Sequence, residues 1–337
     1  MKQSTTFNRK SKIELALLPI MIQVHKDLNQ LPKFKNAVIT IGTFDGVHLG
    51  HQQIINQLKD EAQSLDGETV IITFHPHPRK IISGGTSDVK ILNTLDEKIE
   101  LLSKHGVQHV VVVPFTEGFS EQSAKEYVKD FIVSKFHPHT IIIGYDHHFG
   151  KGRKGDYHLL ERMGERYNYK VKEISEHILN QITISSTKIR GALLHHDINA
   201  ANNFLGYKYF FSGVVIEGDK IGRTIGYPTA NIKMNDEGKL VPGDGVYAVE
   251  VLLKNNCSRY KGMMYIGTRP VVNGKYRVIE VNIFNFTENI YGEIVQVELH
   301  HFIREDIPFK GLEELTVQLK KDKEATLEKM QAQINQS

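Results

Sequence analysis

An α/β domain followed by an antiparallel β domain is the architecture this chain predicts, and three observations predict it. Between Ala37 and about Ile174, short β-branched runs alternate with stretches of helical period, the pattern of βαβ units around a parallel sheet. From Tyr209 onward the rhythm becomes strand, turn, strand, with Gly and Asn between long runs. The last segment, LEELTVQLKKDKEATLEKMQAQI, repeats apolar residues at helical spacing between charges and predicts a closing amphipathic helix. A length of 337 residues agrees with two domains rather than one.

The elements follow in order. Residues 1–20 read as an N-terminal extension. The early apolar stretch from Ile13 to Val24 is broken by Glu14 and Pro19 and lacks a small-residue cleavage site, so neither a signal peptide nor a spanning helix is expected. AVITIG (37–42), TVIITF (69–74), HVVVV (109–113) and TIIIG (140–144) are almost wholly apolar, as central strands of a sheet covered on both faces must be. A first domain therefore spans 21–190, a helical connection containing GALLHHDINAANNFLG spans 191–208, and a second domain spans 209–337. In that second domain GVYAVEVLLK (245–254), GKYRVIEVNIFNF (274–286) and EIVQVELHHF (293–302) read as long strands of a small barrel or sandwich.

Composition narrows the function classes. Hydrophobic residues at 40% and charged residues at 24% describe a globular chain. Lys+Arg 42 against Asp+Glu 39 leaves +3, too balanced for a protein that works by neutralising nucleic-acid phosphates. A single cysteine, Cys257, excludes an internal disulfide framework and CxxC zinc sites, and favours a reducing cytoplasm.

The strand ending at Gly42 runs straight into Thr43-Phe44-Asp45-Gly46-Val47-His48-Leu49-Gly50-His51 and then an amphipathic helix. Ligands of open α/β sheets bind at such carboxyl ends of strands, against helix N-termini whose free N–H groups attract phosphate. His48 and His51, three apart, can project from one face of the first helical turn and donate hydrogen bonds to a phosphate chain, with Gly50 keeping the surface between them low. An isolated HxxH by itself favours surface histidines on an ordinary helix, and a metal-hydrolase reading lacks the HExxH spacing. His75 and His77 in HPHPR can share a face of an extended segment, which leaves metal ligation there open. The adjacent pairs His147–His148, His195–His196 and His300–His301 receive no joint role.

A second cluster, GDKIGRTIGYPTANI at 218–232, combines turn-permitting glycines with Lys220 and Arg223, and by itself reads as either a phosphate-binding loop or a basic surface connector. Glu280 lies among Val278, Ile279, Val281 and Ile283, where a carboxylate is costly unless paired or used; an exposed strand face or an ion pair is the plainer explanation.

Taken together these motifs carry a family resemblance over nearly the whole chain. GTFDGVHLGH and SSTKIR (185–190) resemble the two signatures of the HxGH nucleotidyltransferases. With TFHPHPRKII (73–82) and GYDHHFGKGRKGD (144–156), residues from about Gln23 to Arg190 resemble the adenylyltransferase module of the prokaryotic bifunctional riboflavin kinase/FAD synthetases. The resemblance implies a Rossmann-like domain that converts FMN and ATP into FAD and pyrophosphate. It assigns Gly42, Phe44, Asp45, His48, His51, Ser186, Thr187 and Arg190 to the nucleotide phosphates, and His75 and Asp146 to the flavin. His75 stands where the family often has an acidic residue, and His147 where it often has an aromatic one.

PTANI, with IGTRPVVNG (266–274), YRVIEVNIFNF and FIREDIPF (302–309), resembles the riboflavin kinase module, an antiparallel β-barrel with a C-terminal helix. That resemblance assigns Gly222, Arg223, Gly226, Thr229 and Asn231 to ATP, Thr229 and Asn231 to Mg²⁺, Arg304 to the flavin, and to Glu280 the role of base toward the riboflavin 5′-hydroxyl. Asn282 occupies a position where the family often has His. The implied protein is a cytoplasmic enzyme acting on riboflavin, FMN and ATP with Mg²⁺, without nucleic-acid or membrane partners; homo-oligomerisation is left open. Retention of only one activity and a flavin-binding regulator without turnover are the alternatives. The presence of His48, His51, Glu280 and PTAN speaks against the regulator, which needs neither a base nor a phosphate clamp.

Overall fold

The computed structural model describes residues 22–84, 89–174, 184–271 and 274–332, so the expected extension at 1–20 lies outside the described residues. The first half forms a wholly parallel six-stranded sheet from β1 (Gln23–His25), β2 (Val38–Ile41), β3 (Thr69–His75), β4 (His109–Pro114), β5 (Thr140–Gly144) and β6 (Lys170–Ile174), in the order β1-β4-β3-β2-β5-β6. The four apolar runs are the inner strands, as their composition requires. The sequence reading did not single out β1 and β6, the edges; QVH and KVKEI mix polar and apolar residues because one side of each meets solvent.

The order reverses between β2 and β5: the chain builds outward from β2 to β4, then returns to place β5 on the other side. The carboxyl ends of these two strands therefore open a crevice, and the two loops that leave them are GTFDGVHLGH and GYDHHFGKGRKGD. Helix α1 (Leu49–Ser64) starts at that crevice and buries Ile55, Leu58 and Ala62 against the sheet. A short helix α2 (Pro78–Ile82) follows β3, and α3 (Leu95–Lys104) begins with a reciprocal capping box between Thr94 and Glu97. Two further helices follow: Ser186–Leu194, which begins within SSTKIR and runs into the expected connection, and Ile198–Leu205, which lies inside it.

The second half is a closed antiparallel barrel of β7 (Phe210–Ile216), β8 (Ala230–Met234), β9 (Gly245–Leu253), β10 (Arg259–Val271), β11 (Gly274–Ile283) and β12 (Ile294–Arg304), in the order β10-β11-β8-β7-β12-β9. Closure removes the exposed edges that an open sheet of this size would present. Its interior is filled by side chains such as Val249, Val251, Met264, Val281, Val297 and Leu299. The sequence reading singled out β9, β11 and β12 but not the 13-residue β10, whose glycines and polar residues dilute the strand pattern. Gly262 has a packing reason: a Cβ there would stand 2.8 Å from the Asn282 carbonyl oxygen on β11.

The closing helix, Leu312–Ala332, docks by charge as well as by apolar contact. Arg304, at the end of β12, donates from Nε and Nη2 to the Asp322 carboxylate at 2.8–3.1 Å, and Gln318 adds a further donor at 2.8 Å. Asp322 is only 1% exposed, so its charge is out of water and depends on that guanidinium. Lys329 donates to the Phe302 carbonyl at 2.9 Å near the far end of the helix. Asp322→Ala leaves Arg304 without its partner and should lower stability by about 3 kcal/mol in urea unfolding. Adding Arg304→Ala should cost less than the sum of the single changes, because the unpaired charge is then removed.

Candidate active sites

The turn after β2 is backbone-strained: Phe44, Gly46 and Val47 all have positive φ, at 47°, 92° and 37°. A Cβ on Gly46 would lie 2.8 Å from Leu92 Cδ1, so glycine is required by both conformation and space. Strain of this kind persists where surrounding structure imposes it. Here Tyr207 donates to the Gly46 carbonyl at 2.6 Å, and Gln52 donates to the Val47 carbonyl at 2.9 Å.

The strained turn sets the two histidines. The sequence reading placed both in the first helical turn; instead His48 is the extended N-cap and α1 starts at Leu49. Its Nδ1 accepts the His51 backbone N–H at 3.4 Å, which puts the imidazole proton on Nε2. The ring of His51 stacks on that of His48 with centroids 3.7 Å apart and planes at 16°. Gly50 permits the approach, since a Cβ there would sit 3.2 Å from the His48 ring. Burial holds His48 down to about 4, and burial followed by the neighbouring His48 holds His51 well below the ordinary imidazole value. Both rings are therefore neutral at pH 7 and can stack without repulsion. His51 Nδ1 is buried without a hydrogen-bond partner among the described residues.

Asp45, 2% exposed, ties this turn to the second signature. Its Oδ1 accepts the backbone N–H groups of Leu92 at 2.8 Å and Asn93 at 3.4 Å, and its Oδ2 pairs with Arg190. Arg190 also donates from Nε to the Lys90 carbonyl at 2.7 Å, and the Ser186 hydroxyl donates to the Asp45 carbonyl at 2.9 Å. Beneath the turn, Lys98 donates to the Thr43 carbonyl at 2.7 Å and to Thr73 Oγ1 at 3.3 Å. Burial lowers the Lys98 ammonium to about 8, with the Asp45 charge opposing that shift. The sequence carried no signal for Lys98; its role depends on a fold that brings α3 under a loop 55 residues earlier.

Thr43, Asp45, His48, His51, Ser186 and Arg190 line a cleft of about 1040 Å³ that also takes in Gly42, Phe44, Asp146 and Thr187, while Lys98 and the Leu92 and Asn93 amides lie behind its wall. One end is polar and carries His48, His51, Ser186 and Lys188. The other is aromatic: Phe74, Phe115, Phe119 and Tyr127 pack edge-on or tilted with centroids 5.4–5.8 Å apart. The sequence reading missed this wall because its members come from three separate segments. His77 rather than His75 lines the cleft; it caps α2 by accepting the Arg79 N–H at 3.2 Å, and burial lowers it to about 4. His75 is exposed at the end of β3. His147 lines the cleft, and burial lowers it too to about 4. No group of three His, Cys, Asp or Glu side chains suited to a metal occurs among the described residues.

The barrel holds a second cavity, of about 340 Å³, lined by Gly222, Thr229, Tyr265, Glu280, Asn282 and Arg304, with apolar residues including Met263 and Ile307. Glu280 on β11 stands opposite Asn231 on β8 and Tyr265 on β10. Thr229, just before β8, lines the cavity, whereas Asn231 on β8 is not among its lining residues. Asn231 packs over Gly218, where a Cβ would fall 2.0 Å from its Nδ2. Asn282 donates to the Pro228 carbonyl at 2.7 Å, and so orients the PTAN backbone rather than the carboxylate. Arg223 and Gly226 are exposed and outside the cavity wall. The Arg304 guanidinium is committed to Asp322 and the Glu305 carbonyl. Tyr265, which donates to Asp306 at 3.0 Å, is a wall residue that the sequence reading did not select.

Each cavity falls within a separate family match. An FAD synthetase model matches residues 31–188 and a riboflavin kinase model matches residues 205–330. The chain is 38% identical over 290 residues to the bifunctional riboflavin kinase/FMN adenylyltransferase of Haemophilus influenzae, covering 86% of this chain and 93% of that protein. It is 38% identical over 292 residues to the Listeria monocytogenes protein of the same description, covering 86% and 91%. Among solved structures, a Streptococcus pneumoniae protein described as a macrolide-efflux protein superposes with a TM-score of 0.80 at 30% identity, over 91% of this chain and 99% of that one. Among the described residues of this chain, no helix is long and apolar enough to cross a membrane.

The neutral histidines make stability depend on acid pH. Between about pH 6.5 and about 4 the unfolded chain binds a proton at His48 that the folded chain refuses, so stability is lost as pH falls through that window. His48→Asn retains a capping side chain and should remove about 3 kcal/mol of that loss, read as a flatter unfolding midpoint against pH.

Proposed function

The chain belongs to the family of bifunctional riboflavin kinase/FMN adenylyltransferases, and from that premise we propose that FMN is adenylylated in the sheet-end cleft and riboflavin is phosphorylated in the barrel cavity. One observation carries this division: the sheet-end cleft takes in Gly42, Phe44, Asp45, His48, His51, Ser186, Thr187 and Arg190 of the first signature set, and the barrel cavity takes in Gly222, Thr229 and Glu280 of the second. The adenylylation unit is 21–190, the helical connection 191–208 and the kinase unit 209–337.

FMN brings its own nucleophile. Its phosphate has a second pKa near about 6 and is largely dianionic at neutral pH, so attack on the α-phosphorus of ATP requires alignment and charge stabilisation, not a base. In that step an FMN phosphate oxygen bonds to the α-phosphorus, the bond to the bridging oxygen breaks, and pyrophosphate leaves. His48 Nε2–H and the N-terminus of α1 are donors for the charge that develops, with Gly42 and Phe44 shaping the approach. Ser186, Thr187 and Lys188 flank the departing phosphates. Arg190 acts mainly through Asp45, because its guanidinium is already engaged there. The aromatic wall suits the flat flavin ring, and Asp146 and His77 border it. His75 adjoins the site through the HPHPR turn.

Riboflavin brings an alcohol, which must lose a proton as its 5′-oxygen bonds to the γ-phosphorus of ATP and ADP departs. Glu280 is the base for that proton. Thr229 and Asn231 would hold Mg²⁺: their oxygens are neutral and hard, Thr229 lines the cavity with Glu280, Asn231 pairs in register with Glu280, and the close approach at Gly218 fixes Asn231. When bound, Mg²⁺ offsets the charge of the transferring phosphates. Gly222, Arg223 and Gly226 form the loop over the nucleotide, and Arg304 braces the flavin side by anchoring the closing helix. The enzyme acts in the cytoplasm on riboflavin, FMN and ATP.

A chromatographic time course with riboflavin, ATP and Mg²⁺ should show FMN first and FAD later; FMN accumulating without FAD would refute the adenylylation half. His48→Ala should lower FAD formation from FMN by about a hundredfold while FMN formation stays within twofold. Glu280→Gln should do the reverse, losing at least about a hundredfold in kinase kcat. Asn231→Ala should move the Mg²⁺ titration of the kinase to higher concentration, and an unchanged titration would remove Asn231 from the metal.

A further inference from the structure

The adenylylation cleft does not stand on the sheet domain alone. The strap Lys90–Thr94, between α2 and α3, has one edge on the barrel and the other on the GTFDG turn. On the barrel side, Ile91 N–H donates to the Gly238 carbonyl at 2.7 Å and Leu240 N–H donates to the Ile91 carbonyl at 2.8 Å, while Lys90 Nζ reaches the Glu237 carbonyl at 3.0 Å. On the other side the same strap supplies the Leu92 and Asn93 amides that Asp45 accepts, and the Lys90 carbonyl that accepts Arg190.

Lys239 fastens this strap. Its side chain is fully buried at the junction of the two halves, where Nζ donates to the Leu92 carbonyl at 2.5 Å, to Glu97 at 2.6 Å and to the Phe210 carbonyl at 2.8 Å. Glu97 also accepts the Ser212 N–H at 3.1 Å and the Thr94 N–H at 2.9 Å, so both buried charges are hydrogen-bonded on several sides. Leu92 is the pivot: its carbonyl is held by the barrel's lysine and its amide holds the carboxylate of Asp45.

We propose that Lys239, a residue of the kinase barrel, is a positioning residue for FMN adenylylation: it fixes the Leu92 peptide and through it Asp45, Arg190 and the turn that presents His48. The proposal rests on the assignment of adenylylation to the sheet-end cleft. It makes the adenylyl-transfer site a product of both domains, although the residues facing the cleft come from one.

The test is a double-mutant cycle in the full chain, with both activities measured on each preparation. Lys239→Met should lower kcat/KM for FAD formation from FMN about tenfold while kinase kcat/KM stays within twofold. In an Asp45→Asn background the same change should cost less than twofold further, because Lys239 acts through Asp45. If Lys239→Met folds poorly through its stranded Glu97, Lys239→Met/Glu97→Gln leaves no unpaired charge at that junction and is read in the same way. Asp236→Ala removes the side-chain acceptor of the Gly238 N–H, 2.7 Å away, and a negative charge that favours the Lys239 ammonium, and should show the same selectivity at about threefold. Proportional loss of both activities in these variants, an unchanged adenylylation rate in a folded variant, or full multiplication of effects with Asp45→Asn would each overturn the proposal. Wild-type enzyme that makes no FAD would instead defeat the assignment of the cleft.

Discussion

The buried carboxylate of Asp45 is the constraint around which the adenylylation half is arranged. A carboxylate at 2% exposure is tolerable only if its charge and lone pairs are met, and here two backbone amides and a guanidinium meet them. Each of those partners belongs to a different segment. The amides bring the 90–94 strap, the guanidinium brings the Ser186–Leu194 helix, and the backbone of Asp45 brings the strained turn that ends in the cap of α1. Satisfying one charge therefore assembles the whole polar end of the cleft.

Charge is used differently on the ligand-facing side. His48, His51, His77 and His147 are all pushed toward neutrality by burial, and a cluster of neutral imidazoles can pack where four cations could not. Such rings still donate hydrogen bonds, and the positive charge of the cleft lies on Arg79, Lys151, Arg153, Lys188 and Arg190. The barrel follows the opposite strategy. Of the three carboxylates that line its cavity, Asp306 accepts from Tyr265 and Asp322 is paired with Arg304, while Glu280 stands opposite Asn231 and is the one proposed to take the proton of the alcohol substrate.

Helix α3 connects these local solutions. Glu97 and Lys98, adjacent in sequence, point to different neighbours: Glu97 to Lys239 of the barrel and Lys98 to the Thr43 carbonyl of the GTFDG turn. The capping box that starts the helix uses the same Glu97, so helix initiation, domain docking and site geometry share one side chain.

The sequence alone determined the division into an α/β half and a barrel half and the inner strands, and it singled out GTFDGVHLGH, SSTKIR, PTAN and Glu280 as candidate site residues. Local pattern sufficed for these, since a fully buried strand must be apolar throughout and a phosphate-facing turn needs particular residue types at fixed spacing. Only the tertiary structure decided that His48 caps α1 instead of lying within it, that His77 and not His75 faces the cleft, that Arg304 and Arg190 are held by Asp322 and Asp45, and that Lys98 and Lys239 support a turn far away in sequence. These outcomes turn on backbone φ values and on contacts between distant segments. An isolated lysine in a sequence looks the same whether it ends in water or between two carbonyls and a carboxylate; folding removes the water and so decides which lysine must find partners.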